Sequence, residues 1–258
     1  MKKLILRPRR VEQVHEAILN EITDGRLSPG ARVIQEHIAQ ELGVSRQPVQ
    51  QALLLLRNKG MLVDAPGRGL IVAPLDLDHV QSMYEIRAVL EGLAFRNAAE
   101  RNAEQAARLG PAFIEKGREA VRSKSVSAMI AADRDFHAFV YALSENALIA
   151  PSMEAQWTST QRVMGEVLMR VEKPRDIWDQ HEAMLAEVAG GRGAVVEELA
   201  RQHVLQAAHF MITRLRSLAH ERGAAGQRKT ICAFRNTEGD DTVGALSSDG
   251  SISSAGRA

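Results

Sequence analysis

The sequence predicts a mainly α protein. Its N-terminal part reads as a winged helix-turn-helix (three helices plus a β-hairpin), and its C-terminal part as an all-α bundle of six or seven helices. Three observations carry this. Two short helical patterns meet at Gly43-Val44-Ser45, which leaves room only for a tight turn. Two apolar runs flank a glycine-bearing tip, Gly67-Arg68-Gly69. From Leu75 onward the apolar residues keep helical spacing, and no strand-like alternation stands out.

Taken in order, Val11, Val14, Ile18 and Ile22 recur at helical spacing, and Gly25 supplies a stop. Arg26-Leu27-Ser28-Pro29-Gly30 is a turn-rich connector. A short second helix is expected over about 34–42, with Gly43 just past its end. Ser45 is a good N-cap for a third helix from 46 to about 59. Pro48 falls in its first turn, where the missing N–H costs little. The apolar stripe of this helix is Val49, Ala52, Leu53 and Leu56, and Gly60 ends it. Met61-Leu62-Val63 and Leu70-Ile71-Val72 are the arms of the hairpin, and Pro74 closes the unit.

Candidate helices follow near 76–99, 103–122, 126–144, 148–171, 175–189 and 194–220. Breaks are expected at Gly110-Pro111, Asn146, Lys173-Pro174 and Gly190-Gly191. After about Arg222 the composition shifts to Gly, Ser, Ala and Thr, with too little apolar surface to order a chain. The expected organisation is a winged helix-turn-helix over 1–74, a helical domain over 75–222 and a disordered tail over 223–258.

With 258 residues, 45% hydrophobic and 25% charged, the chain has material for two domains and a buried core. One cysteine, Cys232, excludes an internal disulfide and fits a reducing compartment. The apolar run Leu4-Ile5-Leu6 is too short for a signal peptide, and no stretch approaches the ~18 apolar residues of a membrane span. A soluble, cytoplasmic protein without membrane association is expected. Charge is unevenly spread: residues 1–74 carry 11 Lys and Arg against 7 Asp and Glu, and the remainder carries 22 against 25. A basic N-terminal third suggests that this end meets a polyanion.

In a helix-turn-helix the second helix lies in the major groove of double-stranded DNA, and its first residues reach base edges. Here those residues are Arg46, Gln47, Gln50 and Gln51. Arg can pair with guanine through two hydrogen bonds, and Gln can do the same with adenine. Arg68, between two glycines at the hairpin tip, can approach phosphate or the minor groove closely.

Among eight histidines, three join one acid in the C-terminal part. Asp133 and His137 are four apart and share a helix face. His181 and His203 lie on two further helices, and each of the three histidines sits among apolar positions, where an unpaired ring is costly. Three imidazoles and one carboxylate suit a divalent transition metal with a coordination position left open. Satisfied core histidines are the plainer alternative, and Asp135 is a rival for Asp133.

Residues 11–74 resemble the DNA-binding domain of the GntR superfamily. The matching stretches are Asp24-Gly25-Arg26-Leu27-Ser28-Pro29-Gly30, Leu42-Gly43-Val44-Ser45-Arg46-Gln47-Pro48-Val49, Gly60-Met61-Leu62-Val63 and the Gly67-Arg68-Gly69 wing. Two departures matter. Gln35-Glu36 stands where the family usually has Glu-Arg, and Gln50-Gln51 where it usually has Arg-Glu. Of three arginines that commonly touch DNA in relatives only Arg46 remains, so an operator unlike the common family sequence is expected.

Asp133-Arg134-Asp135-Phe136-His137, Ser144-Glu145-Asn146, Gln180-His181-Glu182 and His203 are similar to the FCD effector domain of the FadR subfamily, over roughly 78–216. The resemblance implies that Asp133, His137, His181 and His203 are metal ligands, with zinc first and nickel or manganese as alternatives. It also implies a small organic acid at or beside the metal, and a homodimer on a palindromic operator. Arg87, in Tyr84-Glu85-Ile86-Arg87-Ala88-Val89-Leu90-Glu91, matches an arginine that relatives place in the effector pocket. A surface pair with Glu91 at i+4 is the other reading of it. The expectation is a ligand-responsive transcriptional regulator and not an enzyme. The alternatives are a regulator with a purely structural metal and a metal-dependent hydrolase, for which no general base is fixed near the ligands.

Overall fold

The computed structural model describes residues 9–170 and 177–237. The N-terminal part opens with α1 (Arg9–Thr23), followed by β1 (Arg32–Val33), α2 (Gln35–Glu41), α3 (Arg46–Asn58), β2 (Leu62–Asp64) and β3 (Leu70–Val72). Val14, Ile18 and Ile22 of α1 pack with Val49, Leu53 and Leu56 of α3 in one small core. That is the face the helical spacing predicted. Ser45 takes the N-cap position of α3, but its hydroxyl makes no capping hydrogen bond.

The hairpin gains a third strand. β3 sits between β1 and β2, antiparallel to both. The turn-rich connector docks on it: Gly30 N–H donates to Val72 O at 2.8 Å and Val72 N–H to Ala31 O at 2.9 Å. A two-residue strand is too short to show alternation, so only its pairing reveals it.

The C-terminal part is built from α4 (Leu77–Arg122), α5 (Val126–Leu143), α6 (Ile149–Leu168), α7 (Ile177–Ala189) and α8 (Gly193–Thr237). Asp76 caps α4 by accepting from Asp78 N–H and His79 N–H, and Ser125 caps α5 by accepting from Ala128 N–H. The break expected at Gly110-Pro111 is absent. α4 runs through it and kinks at Asn102, in the gap expected between 99 and 103, where the residue leaves helical geometry at φ −138° and ψ 36°. The side chain of Asn102 donates to Leu143 O, and Arg101 donates to Ser144 O, so the kink satisfies carbonyls at the end of α5. Gly110 instead serves packing: a Cβ there would lie 2.4 Å from Leu185 on α7.

α8 also departs from expectation. Helix continues through Thr237, past the 223 at which a disordered tail was expected. Ala224, Ala225, Gln227, Arg228 and Lys229 are all good helix formers, and they carry the pattern across Gly223 and Gly226. The rest of that tail, 238–258, lies outside the described residues, as does the expected break at Lys173-Pro174. Among the described residues no helix is long and apolar enough to cross a membrane.

The winged part touches the bundle through α1 and α6. A Cβ on Gly165 would fall 1.5 Å from the carbonyl oxygen of Thr23, and one on Gly25 would fall 3.1 Å from Gly165 O. Gly25 also holds φ at +74°, which favours glycine. Arg170 donates to Ser28 Oγ at 3.0 Å across the same junction. Gly165→Ala should therefore push α1 from α6, at a cost of about 1–3 kcal/mol. Wild-type melting temperature together with wild-type protease sensitivity around residues 24–30 would refute this contact.

Candidate functional site

The DNA-reading face follows from what α3 buries. Val49, Ala52, Leu53 and Leu56 turn inward, which leaves Arg46, Gln47, Gln50 and Gln51 exposed. Gly43 at φ +61° and the bond from Val44 N–H to Ala39 O form the tight turn before it. The exposed Arg46 guanidinium pairs with Glu36 on α2, and Gln35 Nε2 donates to Arg46 O at 2.8 Å. The Gln35-Glu36 departure is thus used within the motif itself. Such an exposed pair is worth only about 0–1 kcal/mol, so DNA can compete for Arg46. Arg68 is exposed at the wing tip, with Gly67 and Gly69 both at positive φ and Ala65 N–H bonded to Gly69 O.

The histidine cluster is deep in the bundle. His137 comes from α5, His181 from α7 and His203 from α8, and all three are buried. Ring centroids are 5.2 Å apart for His137 and His181 and 4.7 Å apart for His181 and His203. One nitrogen from each ring lies within 4.8 Å of the others. Asp133 Oδ1 is 3.6 Å from His181 Nε2 and 3.9 Å from His137 Nε2, so it borders the cluster. Asp135 points elsewhere, to a surface pair with Lys116. Of the two acids, Asp133 is the one beside the rings.

Two of the three rings have a polar side chain behind them. Glu91, fully buried on α4, brings Oε2 to 2.6 Å from His137 Nδ1, without the alignment of a hydrogen bond. Arg87 Nε donates to the other oxygen of Glu91 at 2.6 Å. His203 Nδ1 donates to Gln180 Oε1 at 2.9 Å, which leaves its Nε2 lone pair free. This is how metal-binding imidazoles are commonly oriented. His137 Nε2 and both nitrogens of His181 are buried without a hydrogen-bond partner. Each unpaired buried nitrogen costs about 1–3 kcal/mol, which a cation at the cluster would relieve. The histidine triad can hold a metal ion.

Electrostatics favour that use at two of the three rings. Burial, then the neighbouring His203 and His137, push His181 well below its ordinary pKa. Burial and His137 push His203 down to about 3. Both rings are therefore neutral donors. Burial disfavours the His137 imidazolium too, but Glu91 overrides it and raises the pKa. Burial also opposes ionisation of Glu91, yet Arg87 and His137 together hold its carboxyl well below the usual range. Burial raises Asp133, whose carboxylate would be stabilised by a nearby cation.

A cavity of about 250 Å³ opens beside the cluster, with Arg87, Asp133, His137 and His203 in its lining. Arg87 is only 4% exposed. Its guanidinium also lies 5.4 Å from the ring centroids of Tyr84 and Trp157. Arg87 pairs with Glu91 at i+4, but inside the bundle and against the cavity and not at the surface.

Residues 10–72 match the family described as bacterial regulatory proteins, gntR family, and residues 82–206 match the FCD domain. The chain belongs to the GntR family, with an FCD domain. This regulator is 23% identical to the HTH-type transcriptional repressor RspR of Escherichia coli over 193 residues, covering 75% of this chain and 85% of that one. An uncharacterized HTH-type transcriptional regulator of Agrobacterium vitis is 34% identical over 85 residues, which is 33% of this chain and only 50% of that relative. In fold, a putative GntR transcriptional regulator of Rhodococcus sp. RHA1 superposes with a TM-score of 0.67 at 20% identity, over 80% of this chain and 98% of that one. The relatives are named transcriptional regulators, which agrees with a DNA-binding regulator and not an enzyme.

Glu91 and Gln180 are the residues that sequence reasoning missed as parts of the cluster. Glu91 was in view only as a surface partner of Arg87. Its neighbours Ala88, Gly92, Ala94 and Phe95 are small or apolar, and that placed the pair on a buried face. Gln180 gave no signal, since its role depends on where His203 lands.

Proposed function

We propose that this regulator binds operator DNA under control of a small organic acid, and that the acid binds at a divalent transition metal held by Asp133, His137, His181 and His203. Zinc is the first choice, with nickel or manganese as alternatives, because nitrogen-rich sets with one carboxylate suit these ions. The observation that carries the reading is the buried cluster with its unpaired nitrogens, open to a cavity that also holds Arg87. When bound, the metal would supply a Lewis-acidic position for one carboxylate oxygen. Arg87 would orient the acid from the cavity wall, and Tyr84, whose phenol burial pushes up to about 12, would stay protonated and able to donate.

The reading includes a route to DNA. α6 lends Met164 and Leu168 to the cavity wall, while Gly165 of the same helix and Met169, its C-cap, touch Thr23 and Gly25 of the winged part. A ligand that shifts α6 would change the placement of the winged part, and operator affinity through differential binding to two states. A cytoplasmic homodimer would present two α3 helices to a palindrome; light scattering showing monomer alone, with and without DNA, would exclude that.

Two measurements test the rest. Metal content before and after chelation, with operator titrations in the presence and absence of candidate acids, separates an effector-linked metal from a structural one. In the same titrations Arg46→Ala should weaken specific binding by about 1–3 kcal/mol if Arg46 reads a base. An equal loss on random DNA would reduce it to a phosphate contact.

A further inference from the structure

We infer that the effector is a monocarboxylate with an extended apolar body, an alkyl or aryl acid, and not a hydroxy acid or a polycarboxylate. This rests on the acid-at-metal reading above and adds the chemical class.

The cavity is long and polar at one end. Along α5 its lining runs from His137 through Asp133 to Met129, and along α8 from His203 through Ala207 to Met211. Each run spans eight residues back from a ligand histidine, or about 12 Å of helix. The walls away from the histidines include Met129, Met164, Leu168, Phe210 and Met211, and Trp178 adds an apolar face beside His181. Gln180 is engaged by His203, and Gln206 is exposed. Among the described lining residues only Tyr84 and Gln206 remain as polar partners, so a body rich in hydroxyl groups would leave most of them unpaired, each weakening binding by about tenfold. Three methionines give a wall that adapts to varied apolar shapes.

Charge sets the number of carboxylates. Among the described residues Arg87 is the only Lys or Arg in the lining, and Glu91 already offsets it. A divalent ion with Asp133 leaves one positive charge, which a single carboxylate balances. A second carboxylate would lie against the apolar walls with no cation.

The test is calorimetric titration of the zinc-loaded full-length protein with butanoate, hexanoate, octanoate and 3-phenylpropanoate, against lactate, glycerate and succinate. Zinc content is measured in the same samples. Affinity should rise about fourfold per methylene from butanoate until the cavity is filled. Octanoate and 3-phenylpropanoate should bind at least tenfold tighter than any of the hydrophilic acids. Met129→Gln, and separately Met164→Gln, should weaken octanoate about tenfold while leaving butanoate within twofold. Flat affinity along the series, or tighter binding of lactate, glycerate or succinate, overturns the inference and leaves the acid-at-metal reading standing. Retained zinc with no acid of either class bound overturns both. Zinc that fails to bind places the fault in the metal reading itself.

Discussion

Glu91→Ala should destabilise the protein by about 3–5 kcal/mol, because it strands a buried cation. Arg87 loses the carboxylate that offsets it, at a position only 4% exposed. The Tyr84 and Trp157 rings near it, at 5.4 Å, cannot replace a carboxylate. His137 loses its orienting neighbour as well, and metal affinity should fall about 10–100-fold. The control is Arg87→Met with Glu91→Leu. Removing both charges and refilling the volume with apolar groups is often near neutral, so the double variant should recover most of the loss. Denaturant unfolding of chelated protein isolates the ion pair from the metal. If Glu91→Ala loses less than about 1 kcal/mol there, the pair is not the buried link described.

The second large effect is on metal dependence. Saturation at about a thousandfold over Kd adds about 4 kcal/mol of stability by mass action. For a chain of this size that corresponds to roughly 8–16 °C in Tm. Chelation should remove it, and metal should restore it. His181→Ala should melt at one temperature with or without added zinc, since it removes the ring between the other two. The comparison is made within the variant, so any packing loss from the missing ring cancels. A His181→Ala protein that still gains the full shift would show that the metal binds elsewhere.

Much of this architecture was legible because helices announce themselves by period. Val49, Ala52, Leu53 and Leu56 gave the buried side of α3, and its exposed side followed by subtraction. Asp133 and His137 shared a face at i and i+4, and the structure brings His137 together with His181 and His203 and sets Asp133 beside His137 and His181. What stayed hidden depends on distant partners. β1 exists because β3 has a free edge. The gap expected between 99 and 103 does hold the kink at Asn102, but the α5 carbonyls it meets gave no signal, while Pro111, the stronger local signal, is accommodated. Gly165 looks like an ordinary helix residue until Thr23 arrives against it. The charges on Arg87 and Glu91 read as surface until their neighbours are packed.

α6 divides its labour by register. Met164 and Leu168 meet the cavity, and Gly165 and Met169, each one residue later, meet the winged part. One residue is about 100° of helix rotation. Point substitutions at Met164 or Leu168 can therefore reshape the cavity wall and leave the glycine contact alone. A single-residue insertion or deletion upstream in α6 would turn the glycine away from Thr23 and a bulky side chain toward it. Descendants of this chain are free to reshape the cavity by replacing residues, but not by altering the length of that helix.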